Sequence, residues 1–332
     1  MKPMTSLDLT ASDQRLIVIL CRHFGGFGGE ENYVMCMLDA LHKFNTAVFV
    51  TKTIKGFGLT PQARPNLQVH EYSPWRFIRF LFKNANRIDI FFAFSGDWFP
   101  GESYIFKILD QLRIVKILNP AGNRVQRVAS HYDYLAWEAD NAADYGSGND
   151  PRNCVVLPPA LHPRNMPADF PRLSAEHPFY LTVFNNYDGE IKGFDLMIEA
   201  AKRSRYSIVW CTSNSNHPEG LPHNIKPVAA SRELISALMK ACRAYVCFSK
   251  TEGFGWSVLE AFIHGRPVIT RNIGVARAYI DQVLNYENLD ELLSHLNDDT
   301  FPAEVQYDLK PFSQEAFVNA LNVMLANKHR ET

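Results

Sequence analysis

Residues 249–267, SKTEGFGWSVLEAFIHGRP, decide the fold that this sequence predicts. They follow an apolar run, AYVCF at 244–248, which is typical of a buried strand. A helical pattern covers residues 257–264, and Gly265 with Pro267 ends it. The order strand, glycine loop, helix brings backbone N–H groups and a helix N-terminus together. Such an arrangement binds anions, typically a phosphate.

Two glutamates flank this loop, Glu252 at its entrance and Glu260 one turn into the helix. Phosphates would repel both carboxylates, so the pair indicates hydroxyl groups on either side of a phosphate, such as those of a sugar and a ribose. One alternative stays open. Ser257 and Glu260 also fit a capping box, in which Glu260 only caps its own helix.

The segment EGFGWSVLEAFIHGRPVI at 252–269 resembles the signature of the retaining family 4 glycosyltransferases, also called glycosyltransferase group 1, which have the GT-B fold. The likeness lies in two glutamates eight positions apart, the GFG loop and the later Gly-x-Pro-Val. In that family the first glutamate and the loop amides hold the donor sugar, and the second glutamate holds the nucleotide ribose. The resemblance therefore assigns donor binding to Glu252, Gly253, Phe254, Gly255 and Glu260.

A second glycine-rich loop follows the first predicted strand, at 16–21. Its GFG at 26–28 lacks the third glycine of a dinucleotide fingerprint, because Glu31 stands there, and no acid follows the next strand; this argues against NAD. The run GGEE at 28–31 resembles the G-G-x-E opening of many family 4 enzymes. There the glycines let donor phosphate or acceptor approach the backbone, so Gly28 and Gly29 become donor-binding candidates. A tight turn is the alternative.

The segment GEIKGFDLMIEA at 189–200 resembles the family's K-G-x-x-x-L-I-x-A. The resemblance makes Lys192 the point charge that pairs with the donor diphosphate, and a catalytic candidate together with Glu252. A solvated loop lysine is the alternative. Family members usually carry an arginine shortly before this lysine, whereas NNYD at 185–188 has none. Arg271 or a residue of the first domain is a candidate replacement. We also include Val228 among the donor-binding candidates.

The acceptor side is defined less sharply. Many relatives carry a histidine after the strand predicted here at 114–118, and the equivalent position is Asn119. Asp97 follows the preceding strand and is our first choice for the residue that binds the acceptor hydroxyl. His131 and Asp133 lie downstream as further candidates. A turn aspartate is the alternative for Asp97.

Length and order predict the architecture. The chain has 332 residues, 46% of them hydrophobic and 21% charged, as in a globular protein of two domains. Alternating strands and helices predict doubly wound α/β sheets, and six prolines between 158 and 178 indicate a linker. We expect GT-B, two Rossmann-like domains facing each other across a cleft. The acceptor-side domain would span 1–160 and the donor domain 161–310, with a C-terminal helix in 311–332 packing back toward the first domain.

Composition and charge also bear on the partners and the location of the protein. The net charge of −1 argues against nucleic acid. Six cysteines without a C-x-x-C, no visible signal peptide and short apolar runs predict a cytoplasmic protein. Without a D-x-D or paired histidines we expect no metal, and no cofactor besides the nucleotide-diphosphate sugar substrate. The run from Trp75 to Lys83 combines aromatics with three cations. A core helix with a basic outer face is the favoured interpretation, and peripheral contact with the anionic inner face of the cytoplasmic membrane is the alternative.

These features predict a retaining, metal-independent glycosyltransferase. It would move a hexose-type sugar from a nucleotide-diphosphate donor to a glycan or lipid-linked glycan, of surface polysaccharide or lipopolysaccharide type. Two alternatives stay open. One is a catalytically silent GT-B module that binds a sugar or a partner, which the missing arginine and histidine would explain. The other is a nucleotide-sugar epimerase or phosphorylase of the same fold.

Overall fold

The structure is a computed structural model that describes residues 15–24, 29–54, 64–94, 99–119, 131–138, 154–161, 178–185, 189–212 and 218–328. The chain divides into two compact units. Unit 1 comprises Met1–His162 with Lys310–Thr332, and unit 2 comprises Pro163–Leu309. Two predicted site residues, Gly28 and Asp97, and most of the proline-rich stretch lie outside the described residues.

Unit 1 holds a seven-stranded sheet whose described pairings are all parallel. Its order is β3-β2-β1-β4-β5-β6-β7. The strands are β1 (Leu16–Phe24), β2 (Asn45–Ile54), β3 (Leu67–Glu71), β4 (Ile88–Phe94), β5 (Val115–Asn119), β6 (Tyr134–Trp137) and β7 (Cys154–Val156). The helices between them are α1 (Gly29–Ala40), α2 (Pro74–Asn84) and α3 (Glu102–Gln111). The apolar run of β1 is central because it pairs with both β2 and β4.

Unit 2 holds a six-stranded sheet in the order β10-β9-β8-β11-β12-β13, again with parallel pairings. Its strands are β8 (Phe179–Val183), β9 (Ser207–Thr212), β10 (Ile225–Ala229), β11 (Ala244–Val246), β12 (Val268–Thr270) and β13 (Leu284–Asn285). Its helices are α4 (Gly189–Lys192), α5 (Phe194–Arg203), α6 (Arg232–Ala241), α7 (Trp256–Ile263) and α8 (Leu289–Leu296). The prediction of two Rossmann-like parallel α/β domains is therefore confirmed.

The last helix, α9 (Gln314–Lys328), belongs to unit 1. The Tyr134 hydroxyl donates to the Met324 carbonyl at 2.8 Å. The Leu161 amide donates to the Phe312 carbonyl at 2.7 Å, just before α9 begins. The C-terminal segment thus completes the core of unit 1.

Candidate functional site

The loop that follows β11 lies at the carboxyl edge of the unit 2 sheet, where parallel α/β sheets bind ligands. Gly255 ends this loop in the left-handed conformation, with φ 87°, and serves as the N-cap of α7. Glycine adopts that conformation without steric cost. No side chain caps α7 in the described structure, and the Val258 amide donates to the Gly255 carbonyl at 3.0 Å. The Trp256 and Ser257 N–H groups are therefore the ones that can donate to an anion.

The residue at which α7 begins tests the interpretation of Glu260 as a capping-box residue. The helix begins at Trp256, so Ser257 is a helical residue and not the N-cap. The Ser257 Oγ accepts a hydrogen bond from the Tyr245 hydroxyl at 2.6 Å. The capping-box interpretation of Glu260 is therefore wrong, because the cap lies too far back for Glu260 to reach it.

The two catalytic candidates of this unit form an ion pair. The Lys192 Nζ lies 2.9 Å from both carboxylate oxygens of Glu252. The buried Ser249 hydroxyl donates to Glu252 Oε1 at 2.6 Å. The Lys192 and Glu252 side chains are 27% and 13% exposed. The structure thus brings together a cation and a carboxylate that lie 60 positions apart in the chain.

Two glycines permit this contact. Gly193, with φ 70°, follows Lys192, and a Cβ there would lie 2.1 Å from the Phe248 carbonyl oxygen. Gly274, with φ 52°, would place a Cβ 2.4 Å from the Phe254 carbonyl oxygen. Only glycine allows the backbone to approach so closely. Gly274 is not among the site residues predicted from the sequence, although a glycine soon after a strand is a usable signal.

The remaining loop residues, Gly253 and Phe254, differ in how exposed they are. Gly253 is exposed. The Phe254 ring is buried and packs edge-on against Trp256 at 5.2 Å between centroids. Any contribution of Phe254 to ligand binding therefore comes from its backbone.

Glu260 is half-buried on α7. Burial raises the pKa of its carboxyl to about 7, and the nearby Arg232 opposes the rise. Among the described residues no donor forms a hydrogen bond with this carboxylate. A carboxyl group that no described residue hydrogen-bonds is suited to accept ligand hydroxyls.

Val228 and Arg271 lie on opposite sides of β11 in the sheet. Val228 is in the edge strand β10, and β9 and β8 separate it from β11. Arg271 directly follows β12, on the other side of β11 from β8. Its guanidinium stacks over the Tyr286 ring at 5.3 Å, and its buried Nε has no hydrogen-bond partner among the described residues. Arg271 thus stays the candidate for the missing arginine.

In unit 1, Gly29 is exposed at the start of α1, and Asn119 is the last residue of β5. Asn119 is 1% exposed, and neither polar atom of its side chain has a hydrogen-bond partner in the described structure. Its amide lies beside Glu138, which directly follows β6 and is not among the site residues predicted from the sequence. An acid placed directly after the apolar strand YLAW was the available signal.

The other two acceptor candidates have packing roles. The His131 ring stacks on Phe106, with centroids 4.9 Å apart. Asp133 Oδ2 accepts the Lys116 amide at 2.8 Å. The part of the chain that the structure describes contains no group of three or more His, Cys, Asp or Glu that could hold a metal ion. Metal independence stays a prediction.

A family model described as glycosyl transferases group 1 matches residues 168–286, a range that contains Lys192, Glu252 and Glu260. No curated protein shows a significant sequence match to the chain.

Among solved structures, the chain is similar to the lipopolysaccharide outer core galactosyltransferase WaaB in its apo form, with TM-score 0.64 and 14% identity over 95% of this chain and 98% of that one. It is similar to WaaG, a glycosyltransferase involved in lipopolysaccharide biosynthesis, with TM-score 0.57 and 17% identity over 95% and 94%. For sucrose-phosphate synthase from Thermosynechococcus elongatus the TM-score is 0.61, with 14% identity over 96% and 94%. The fold is that of the GT-B glycosyltransferases, as predicted.

Proposed function

We propose that the protein is a retaining, family 4 type glycosyltransferase that moves a hexose-type sugar from a nucleotide-diphosphate donor to a glycan or lipid-linked glycan. One observation carries the proposal. Lys192 and Glu252, which the resemblance assigns to the donor, lie in contact beside the uncapped N-terminus of α7. The match of the group 1 family model over this region supports it.

In this proposal the donor diphosphate binds at the N-terminus of α7 and Lys192 neutralises its charge. Negative charge grows on the diphosphate as the glycosidic bond breaks, so Lys192 and the α7 amides stabilise the transition state more than the ground state. The acceptor hydroxyl attacks from the face that the diphosphate leaves, which retains the anomeric configuration without a covalent nucleophile. Neither a metal nor a cofactor is required.

The two carboxylates bind the parts of the donor on either side of the diphosphate. Glu252 accepts a hydroxyl of the sugar, and Glu260 accepts a hydroxyl of the ribose. Before the donor binds, Lys192 and Glu252 neutralise each other. Donor binding replaces this contact, with Lys192 turning to phosphate and Glu252 to a hydroxyl. Lys192 is thereby held close to its place of action.

A donor screen tests the proposal. We expect one of the UDP, GDP, ADP, CDP or TDP sugars to raise the melting temperature. At a hundred times its dissociation constant it should raise the free energy of unfolding by about 2.7 kcal/mol. That donor should then release nucleoside diphosphate and transfer its sugar to a lipopolysaccharide or polysaccharide fragment. Proton NMR of the product should show the donor's anomeric configuration. Inversion would contradict the retaining mechanism, and donor binding without hydrolysis or transfer would favour a silent module.

We further propose that the protein works in the cytoplasm at an anionic membrane surface, which it contacts through α2. The helix buries Phe77 and Leu81, whereas Trp75 is 79% and Phe82 57% exposed. Its outer face also presents the exposed cations Arg76, Arg79 and Lys83, and the helix contains no acid. Aromatic rings beside cations on one helix face are typical of interfacial binding. None of the described helices is long and apolar enough to cross a membrane.

Liposome flotation tests this surface. The wild type should float with vesicles containing anionic lipid and not with neutral ones, and Trp75→Ala/Phe82→Ala should abolish flotation. Arg79→Ser/Lys83→Ser should weaken it, whereas Lys202→Ser/Lys226→Ser, which removes the same charge from unit 2, should not. If both charge variants float equally less than the wild type, net charge and not the position of the cations on α2 decides binding.

A further inference from the structure

A group of polar side chains at the carboxyl edge of the unit 1 sheet takes no part in the proposed donor site. Asn119 ends β5 and Glu138 follows β6, and these strands pair in parallel. Glu30 and Tyr33 come from the start of α1, which follows β1. We call Asn119 and Glu138, with Glu30 and Tyr33 beside them, the edge cluster. Carboxyl ends of neighbouring parallel strands are where this kind of fold binds ligands.

Asn119 is the unusual member of the edge cluster. It is almost fully buried, yet neither its amide nitrogen nor its amide oxygen has a hydrogen-bond partner among the described residues. Its side chain faces the Tyr33 hydroxyl and the Glu138 carboxyl without a hydrogen bond of normal geometry. Burial raises the pKa of both groups, and the Asn119 amide opposes that rise. Buried side-chain amides are nearly always satisfied, so an unsatisfied one calls for a partner. A ligand that offers both a donor and an acceptor would supply it.

Glu138 shares this environment. It is half-buried, and in the described part of the chain its carboxyl makes no hydrogen bond of normal geometry. Its pKa is raised to about 8, mainly by burial; Asn119 opposes the rise, and the nearby Glu30 carboxylate contributes to it. The other groups that face it are engaged: the Tyr33 hydroxyl donates to the Leu157 carbonyl at 2.7 Å. Near neutral pH Glu138 therefore carries a proton that it can donate.

Glu30 sets the charge that a ligand meets. Its Oε1 accepts the Arg22 amide at 2.8 Å, and its Oε2 lies 3.6 Å from the Arg22 Nε. The carboxylate is therefore held in place beside Glu138. A phosphate or carboxylate on a ligand would meet the Glu30 carboxylate, whereas neutral hydroxyls would meet an amide and a protonated carboxyl.

We propose that Asn119 and Glu138 bind hydroxyl groups of a neutral sugar. In that site the amide donates to one hydroxyl and accepts from the next, and the Glu138 carboxyl donates to a hydroxyl oxygen. That this sugar is the acceptor rests on the proposed function; that it binds at the edge cluster does not. Because the carboxyl must keep its proton, sugar binding should weaken as the pH rises through about 8.

Saturation-transfer NMR of the full chain tests the site directly. The probes are the methyl glycosides of glucose, galactose and mannose, with glucose 6-phosphate and methyl glucuronide as charged counterparts. We expect at least one neutral glycoside to bind the wild type at about pH 6.5 and the charged sugars not to bind. At about pH 9.5 the affinity should fall by up to about thirtyfold, as the protonated fraction of a group with a pKa of about 8 does.

Two variants and two controls complete the test. Asn119→Ala should lose the sugar signal, whereas Asn327→Ala, at an exposed position of α9, should keep it. Glu138→Gln should bind at about pH 6.5 and lose the pH dependence, because an amide does not ionise; Glu315→Gln should keep the wild-type profile. Should Asn119→Ala fail to fold, the Glu138→Gln profile decides alone.

Three results would overturn the proposal: no neutral glycoside binding to the wild type, equal binding at both pH values, or wild-type binding by folded Asn119→Ala. Equal binding of charged and neutral sugars would contradict the role of Glu30. Nucleoside diphosphate stabilisation, measured on the same samples, reports on the proposed function separately. Its absence would refute the donor site and leave the sugar result to decide on the edge cluster.

Discussion

Replacing Lys192 with methionine separates the catalytic role of this lysine from its structural one. The substitution keeps an unbranched side chain but removes the ammonium that contacts Glu252 at 2.9 Å. The Glu252 carboxylate would then keep only the Ser249 hydroxyl among these partners. We expect two effects of different size, a modest loss of stability and a large loss of turnover.

The exposure of the pair sets the structural effect. Exposed ion pairs contribute about 0–1 kcal/mol, and breaking a buried pair costs about 3–5 kcal/mol. With side chains 27% and 13% exposed, this pair is intermediate. We therefore expect Lys192→Met to lower the free energy of unfolding by about 1–2 kcal/mol, or the melting temperature by about 2–8 °C. The catalytic effect should be a fall in kcat of about 10²–10³, as for loss of one group that stabilises a developing anion.

Steady-state kinetics with the donor from the thermal screen, together with melting curves, measure both effects. Lys192→Met/Glu252→Gln should recover most of the stability, because no unpaired carboxylate remains, and should stay inactive. Lys226→Met, at an exposed position of β10, is the matched control and should change neither quantity. A kcat and donor KM of wild-type size in Lys192→Met would show that the diphosphate is held elsewhere, and the assignment of the donor site would be wrong.

Three further predictions concern the same unit. Glu260→Gln should weaken nucleoside diphosphate binding about tenfold to hundredfold, as measured by calorimetry. Because the pKa of the Glu260 carboxyl is raised to about 7, the wild type should lose stability relative to this variant as the pH rises from about 5 to 8. Stability curves of the two proteins that run parallel over this pH range would refute that. Glu252→Ala should lower turnover and alter sugar preference while UDP or GDP alone still binds, and an unchanged donor preference would count against its sugar contact. Gly193→Ala should cost about 2–4 kcal/mol by denaturant unfolding, because its Cβ meets the Phe248 carbonyl at 2.1 Å. Gly220→Ala, with φ 76° and no atom within 4 Å, should cost about 1 kcal/mol, and equal costs would mean that the backbone contact is not tight.

Local patterns in the sequence were sufficient for the longer elements. The strand predicted at 16–21 lies within β1 (Leu16–Phe24), and the helical pattern at 257–264 corresponds to α7 (Trp256–Ile263). Such elements can be recognised from the spacing of their apolar residues and from the glycines that end them. The loop at 249–255 was likewise identifiable, because its glycines lie between an apolar strand and a helical pattern.

Short strands were not visible in this way. β6, β7, β12 and β13 have two to four residues each, too few for a periodic signal. β10 contains Pro227, which argues against a central strand and is tolerated because β10 is an edge. These strands form because they hydrogen-bond to a neighbouring strand of the sheet. Their own residues do not indicate which strand that is, so the local sequence does not predict them.

The sequence by itself determined the alternation of strands and helices and which residue types stand at the strand ends. Only the tertiary structure decided which of them meet. Lys192 contacts Glu252 because β8 and β11 are neighbours in the sheet, and Asn119 lies beside Glu138 because β5 pairs with β6. The protonation of Glu138 was equally beyond the sequence. It depends on how much water the folded chain excludes and on which charges it places nearby, and both arise only when distant segments pack together.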